Sequence, residues 1–245
     1  MAERFDIAAF AYAHRGLWRP DGPPENSPAA FAAAADAGCG IELDVRLTAD
    51  GVPIIFHDPL LDRMTNGTGL VAATTYADIK ALQLNGSDTP PPTLEDTLGA
   101  WPAHLPVLVE LKTDGAPDTF AAKSAELVSA HAGRAAIMSF DAGAVERVIE
   151  AAPSVMRGLL VAPAFMVRDG AVDAMLERSG TLQIDYLAPH ISDLGHVRAS
   201  PHLGDRPLVT WTVDKPDTLA AAKAGADGII FEHLDPALVR PGTVG

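Results

Sequence analysis

Apolar runs of strand length alternate with alanine-rich helical stretches along this chain, and that alternation restricts the fold more than any other feature. Strands are predicted near residues 8–13, 41–47, 106–111, 135–140, 156–161, 182–187, 207–213 and 227–231. Between them, SPAAFAAAADAG offers Ser27 as a helix N-cap, Pro28 in the first turn and Gly38 past the end. KPDTLAAAKAGADG repeats the logic, with Gly225 closing the helix. An α/β fold follows. Eight strands suit a (β/α)8 TIM barrel better than an open dinucleotide-binding sheet, because no GxGxxG follows the first strand. The 245 residues are read as a single barrel domain over 1–245, since no linker divides them. Residues 48–100 interrupt the rhythm and are predicted to form a small cap insertion after the second strand.

The stretch GIELDVRL, residues 40–47, sets Ile41, Leu43, Val45 and Leu47 on one strand face and Glu42, Asp44 and Arg46 on the other. Two carboxylates on a core strand need a reason. The following TADG and VPIIFHD read as a turn near Ala49 and Asp50 and a returning strand, which brings His57 back to the level of Glu42 and Asp44. In a barrel, the C-terminal strand ends share one mouth. There His14 and Arg15, Glu42 and Asp44, Glu110 and Lys112, and Trp211 would meet.

Glu42, Asp44 and Glu110 cannot crowd together without raised pKa values or a cation, and an all-oxygen set suits Mg2+ or Ca2+. The alternative is a structural ion network with Arg15, Arg46 or Lys112. His14 and His57 are candidates for general acid and base. Arg15 and Lys112 could bind a phosphate or neutralise the carboxylates. Trp211 could wall the pocket or simply pack, and His190 is a weaker pocket candidate. TNGTG, residues 65–69, lacks the Lys-Ser/Thr ending of a phosphate loop and reads as a turn.

A formal net charge of −14 argues against nucleic acid as a partner and against attraction to an anionic membrane. Cys39 stands alone, which excludes an internal disulfide and a cysteine-rich zinc site. The opening MAERFDIAAFAYAHRG has too short an apolar run for a signal peptide, and no stretch reads as a stable membrane insertion, so the cytoplasm is the expected location. Self-association into a homo-oligomer is left open.

The segments AHRG (13–16), PENS (24–27), GIELDVRLTADGVPIIFHD (40–58), LDRMTNGTG (61–69), PTLED (92–96), VELK (109–112), WTVD (211–214) and GADGII (225–230) together resemble the glycerophosphodiester phosphodiesterases. The matches keep that family's order across nearly the whole chain. The resemblance implies a barrel of the phosphatidylinositol-phospholipase C-like type and metal-dependent hydrolysis of glycerophosphodiesters to glycerol 3-phosphate and an alcohol. It implies metal ligation by Glu42, Asp44 and Glu110, acid/base roles for His14 and His57, and phosphate contacts from Arg15 and Lys112. Glu25 is expected to support the site. Ser27, Met64 and the FEHLD segment (231–235) depart from the family's pattern, the last at the rim. Rival readings are a phospholipase D-like or phosphoinositide-cleaving enzyme on the same barrel, a metal-dependent aldolase or isomerase, and a non-catalytic binding module.

Overall fold

A computed structural model describes residues 2–239, so Met1 and residues 240–245 of the expected unit lie outside the described residues. In chain order the elements are β1 (Ala11–His14), α1 (Pro28–Asp36), β2 (Gly40–Leu47), β3 (Pro53–Ile55), α2 (Tyr76–Ile79), α3 (Leu94–Ala100), β4 (Val107–Leu111), α4 (Thr119–Ala130) and β5 (Ala135–Ser139). There follow α5 (Ala142–Ala151), β6 (Met156–Val161), α6 (Ala171–Ser179), β7 (Tyr186–Pro189), α7 (Leu194–Arg198), β8 (Val209–Val213), α8 (Pro216–Gly225), β9 (Gly228–Phe231) and α9 (Pro236–Val239).

Eight parallel strands pair in the order β7-β6-β5-β4-β2-β1-β9-β8, and β3 pairs antiparallel with β2 outside that path. The ends of the path, β7 and β8, meet at a seam. Parallel bridges Leu187–Leu208 and His190–Trp211 cross it, and Trp211 Nε1 donates to Ala188 O at 2.8 Å. The result is a single, nearly closed (β/α)8 barrel, as the alternation predicted, with an extra strand after β2.

Side-chain parity follows from the strand period of two. Ile41, Leu43 and Val45 of β2 and Val107, Val109 and Leu111 of β4 pack outward with Phe31 and Phe120 of the helices. Tyr12, Leu108, Met138, Leu160, Tyr186 and Ile230 fill the interior. Gly158 makes room for this filling: a Cβ there would lie 2.3 Å from the Tyr186 ring. Burial of apolar area in the two layers stabilises the barrel at roughly 25 cal/mol per Å2.

Local signals set most element ends. Ser27 Oγ accepts from Ala30 N at 3.1 Å and donates to Pro24 O at 2.6 Å, while Pro28 opens α1. Gly38, at φ +67°, turns the chain toward β2. Gly225 is the last residue of α8. The β2–β3 turn is centred on Asp50, since Leu47 faces Pro53 and Arg46 faces Ile54.

Two predicted strands begin later than expected. Residues 7–9 form a 3-10 turn because the Asp6 side chain accepts from Ala8 N, so β1 starts at Ala11. Residues 182–184 are irregular: Arg157 Nε holds Gln183 O at 2.7 Å, and Leu182 and Ile184 are buried without ladder pairing. The 48–100 segment contains β3, α2, α3 and a small apolar cluster of Ile54, Phe56, Leu61, Val71, Ile79 and Leu84. Among the described residues no helix is long and apolar enough to cross a membrane.

Candidate active site

The parity that buries the apolar residues also builds a polar floor at the C-terminal strand ends. In the parallel register His14 is level with Glu42, and Asp44 with Glu110. All four point inward. Glu42, Asp44 and Glu110 are 1%, 0% and 6% exposed, and one oxygen from each lies within 4.8 Å of the others. Lys112 Nζ contacts Asp44 Oδ1 at 3.1 Å and Glu110 Oε1 at 2.5 Å. Arg15 Nε reaches Asp44 Oδ2 at 3.1 Å, and Asn26 Nδ2 donates to the same oxygen at 2.9 Å. Arg15 and Asn26 both have left-handed backbones, at φ +57° and +55°, and Asn26 N donates to Arg15 O. The two loops thus lock together over Asp44.

Glu42 fares differently. Its Oε2 accepts from Arg15 N at 3.2 Å, and its buried Oε1 accepts no hydrogen bond. Burial and the adjacent Asp44 and Glu110 carboxylates push Glu42 well above its ordinary pKa. Burial raises Glu110 to about 7, against the pull of Lys112. Burial also opposes the Asp44 anion, but Lys112 and Arg15 outweigh it and hold Asp44 well below the carboxylate range. The structural ion network therefore exists, yet it leaves three carboxylates against two cations and one orphan oxygen. Hard oxygen donors with an uncompensated negative charge fit a hard divalent cation.

The histidines flank this floor. His14 Nε2 lies 3.9 Å from Glu42 Oε2, and its Nδ1 meets Glu232 Oε2 at 2.5 Å. The hairpin returns His57 to the cavity, with its Nδ1 against Asp58 Oδ1 at 2.7 Å. Burial lowers the His57 pKa. Arg63 binds Asp58 and also Glu25, whose Oε1 takes Arg15 Nη1 at 3.0 Å. Arg46 turns toward the insertion that follows β2. It is buried, donating from Nε to His57 O at 2.6 Å and pairing with Asp114, so it braces the hairpin end.

A cavity of about 400 Å3 opens above these groups, lined by His14, Arg15, Glu42, His57, Glu110 and Lys112 on one side. The opposite wall is apolar: Phe140, Leu160, Met166, Val167, Trp211 and Ile230. Trp211 stands edge-on to Phe140 at 5.5 Å, where β8 shifts register against β9. His190 packs behind Trp211 at 5.1 Å and bonds Ser192, away from the cavity lining. Phe165 and Met166, 71% and 73% exposed, form the outer rim of the apolar side.

His14, Arg15, Glu42, His57, Glu110, Lys112 and Trp211 line the cavity as expected, Asp44 joins Glu42 and Glu110 in the buried set, and Glu25, Arg46 and His190 are outside the lining. The sequence reading missed Asn26, Asp58, Arg63 and Glu232 as partners. Glu232 had a usable signal: it stands two residues beyond inward-facing Ile230 and so shares that face.

Three comparisons bear on this geometry. The model of the glycerophosphoryl diester phosphodiesterase family matches residues 14–236. A Mycobacterium tuberculosis protein named a probable glycerophosphodiester phosphodiesterase is 31% identical over 243 residues, spanning 92% of this chain and 88% of its own. A glycerophosphodiester phosphodiesterase of Caldanaerobacter subterraneus reaches 49% identity over 71 residues, 29% of this chain and 28% of that one. Among solved structures, an Oleispira antarctica phosphodiesterase in complex with the product sn-glycerol-3-phosphate aligns with a TM-score of 0.76 at 25% identity. That alignment covers 91% of this chain and 92% of the other.

Proposed function

The chain belongs to the glycerophosphoryl diester phosphodiesterase family, and from that premise we propose that it hydrolyses glycerophosphodiesters to glycerol 3-phosphate and an alcohol. The observation that carries the reading is the buried Glu42–Asp44–Glu110 set, with its orphan oxygen, between two histidines on one cavity. The relative solved with sn-glycerol-3-phosphate supports the product. Residues 1–245 are read as one unit with 48–100 as its insertion.

Glu42, Asp44 and Glu110 would hold a divalent cation, Mg2+ or Ca2+, which would supply Lewis-acid stabilisation of the charge on the phosphate. Arg15 and Lys112 line the cavity beside that position and add positive charge for the phosphate oxygens. One histidine takes a proton from the attacking water or neighbouring glycerol hydroxyl, and the other delivers a proton to the leaving alcohol oxygen. Asp58 and Arg46 hold His57 from its ring and its carbonyl. Trp211 and Phe140 shield one side of the cavity from water.

A coupled assay for glycerol 3-phosphate release from glycerophosphocholine and other headgroup esters tests the reading. Turnover should vanish after chelation and return with Mg2+ or Ca2+; chelator-resistant turnover would remove the cation from the reaction. Turnover of a sugar phosphate without any phosphodiester cleavage would favour the aldolase or isomerase reading instead.

A further inference from the structure

We propose that Glu232 is a positioning residue for His14, fixing its imidazole as the Nδ1–H tautomer so that Nε2 faces the reacting phosphodiester. This rests on the proton-transfer role given to His14 above. Glu232 extends the inward face of β9 past Ile230, and its backbone N donates to Val213 O at 2.9 Å, keeping the β8–β9 pairing one residue beyond the strand. Its Oε2 lies 2.5 Å from His14 Nδ1. Its Oε1 lies 3.0 Å from His233 Nε2. His233 has a left-handed backbone at φ +57°, and its ring stands edge-on to Trp18 at 4.5 Å. Both carboxylate oxygens are therefore anchored, one by the histidine it serves and one by a side chain that is itself packed.

A carboxylate accepts and cannot donate, so the ring nitrogen facing it must carry the proton. The other nitrogen then faces the cavity, 3.9 Å from Glu42 Oε2. Without Glu232 the ring can rotate or change tautomer, and its cavity-facing nitrogen is no longer defined. His57 has a parallel partner in Asp58, but Asp58 is itself gripped by Arg63. Glu232 makes no such arginine bond among the described residues, and its two oxygens are divided between His14 and His233.

Glu232→Gln, His14→Ala and the double variant decide the matter, with rates measured at saturating cation. Glu232→Gln should lower kcat about 10- to 100-fold with KM little changed, and Glu232→Asp should restore part of the loss. In the His14→Ala background, Glu232→Gln should add no further loss. Nitrogen-15 NMR of the His14 ring should show the Nδ1–H form in the wild type and a mixture in Glu232→Gln. A wild-type kcat in Glu232→Gln beside an inactive His14→Ala overturns the positioning role alone, as does an unchanged tautomer. A wild-type rate in His14→Ala overturns the proton-transfer role of His14 and this inference with it. The cation-induced shift in Tm, retained in each variant, separates these outcomes from loss of the fold.

Discussion

Replacing Glu42 with Gln distinguishes a cation site from a self-sufficient ion network, because the two make opposite predictions for the metal-free protein. Ligand oxygens of Glu42, Asp44 and Glu110 lie within 4.8 Å of one another. Unit charges at that separation repel by about 3 kcal/mol at an effective dielectric constant of about 20. Glu42 faces two such neighbours, while Arg15 and Lys112 make their ion pairs with Asp44 and Glu110. Its folded pKa is raised, so its contribution is most favourable below the ordinary value of 4.5 and is lost as pH rises toward the folded pKa. The loss grows as pH rises through that interval, because the folded state keeps the proton that the unfolded state has released. Metal-free Glu42→Gln should therefore exceed the metal-free wild type by about 1 to 3 kcal/mol at pH 7, allowing for the imperfect fit of the amide. Each kcal/mol corresponds to about 3 °C in Tm for a chain of this size. The gap should close toward pH 4.5. With Mg2+ or Ca2+ at about 100 times Kd the wild type gains about 2.7 kcal/mol and the variant gains little, so the advantage disappears or reverses. Thermal melts from pH 4.5 to 8, in chelator and in each cation, measure both effects. A metal-free variant less stable than the wild type at pH 7, with an intact cation response, would refute the reasoning and make Glu42 a structural partner.

Three further predictions follow from single residues. Gly158→Ala places a methyl 2.3 Å from the Tyr186 ring inside the barrel and should lower stability by about 1 to 3 kcal/mol or more, read as a fall in Tm. Ser27→Ala removes the acceptor for Ala30 N and should cost about 1 kcal/mol in a urea titration, with kcat nearly unchanged. His57→Ala should keep the cation-induced rise in Tm yet lose about 100-fold or more in turnover; a near-normal rate would remove His57 from proton transfer.

Much of the barrel and the polar floor is legible in the sequence because both follow from strand parity. The alternation in GIELDVRL separates Ile41, Leu43 and Val45 from Glu42 and Asp44, and the structure keeps that separation. The short TADG turn suffices to bring His57 home. What periodicity does not carry is partnership across the barrel. Glu232 lies 218 residues from His14, and only closure of β9 against β1 brings them together. Arg63 and Asp58 sit in a segment held by side-chain hydrogen bonds, where no repeat announces which groups meet. Arg46 is a related case: its strand face is legible, but the meeting of its long side chain with the His57 carbonyl is not.

The two sides of the cavity are drawn from different parts of the chain. His14, Arg15, Glu42, His57, Glu110 and Lys112 all precede residue 113, whereas Phe140, Leu160, Met166, Val167, Trp211 and Ile230 all follow it. The polar groups proposed to react and the apolar wall facing them are thus inherited on separate lengths of sequence. On the proposed function, a chimera that exchanges the later strands would replace the apolar wall while keeping the segments that carry the polar floor. Glu232 is the exception that such an exchange must carry with it, because the later half holds one hand of His14.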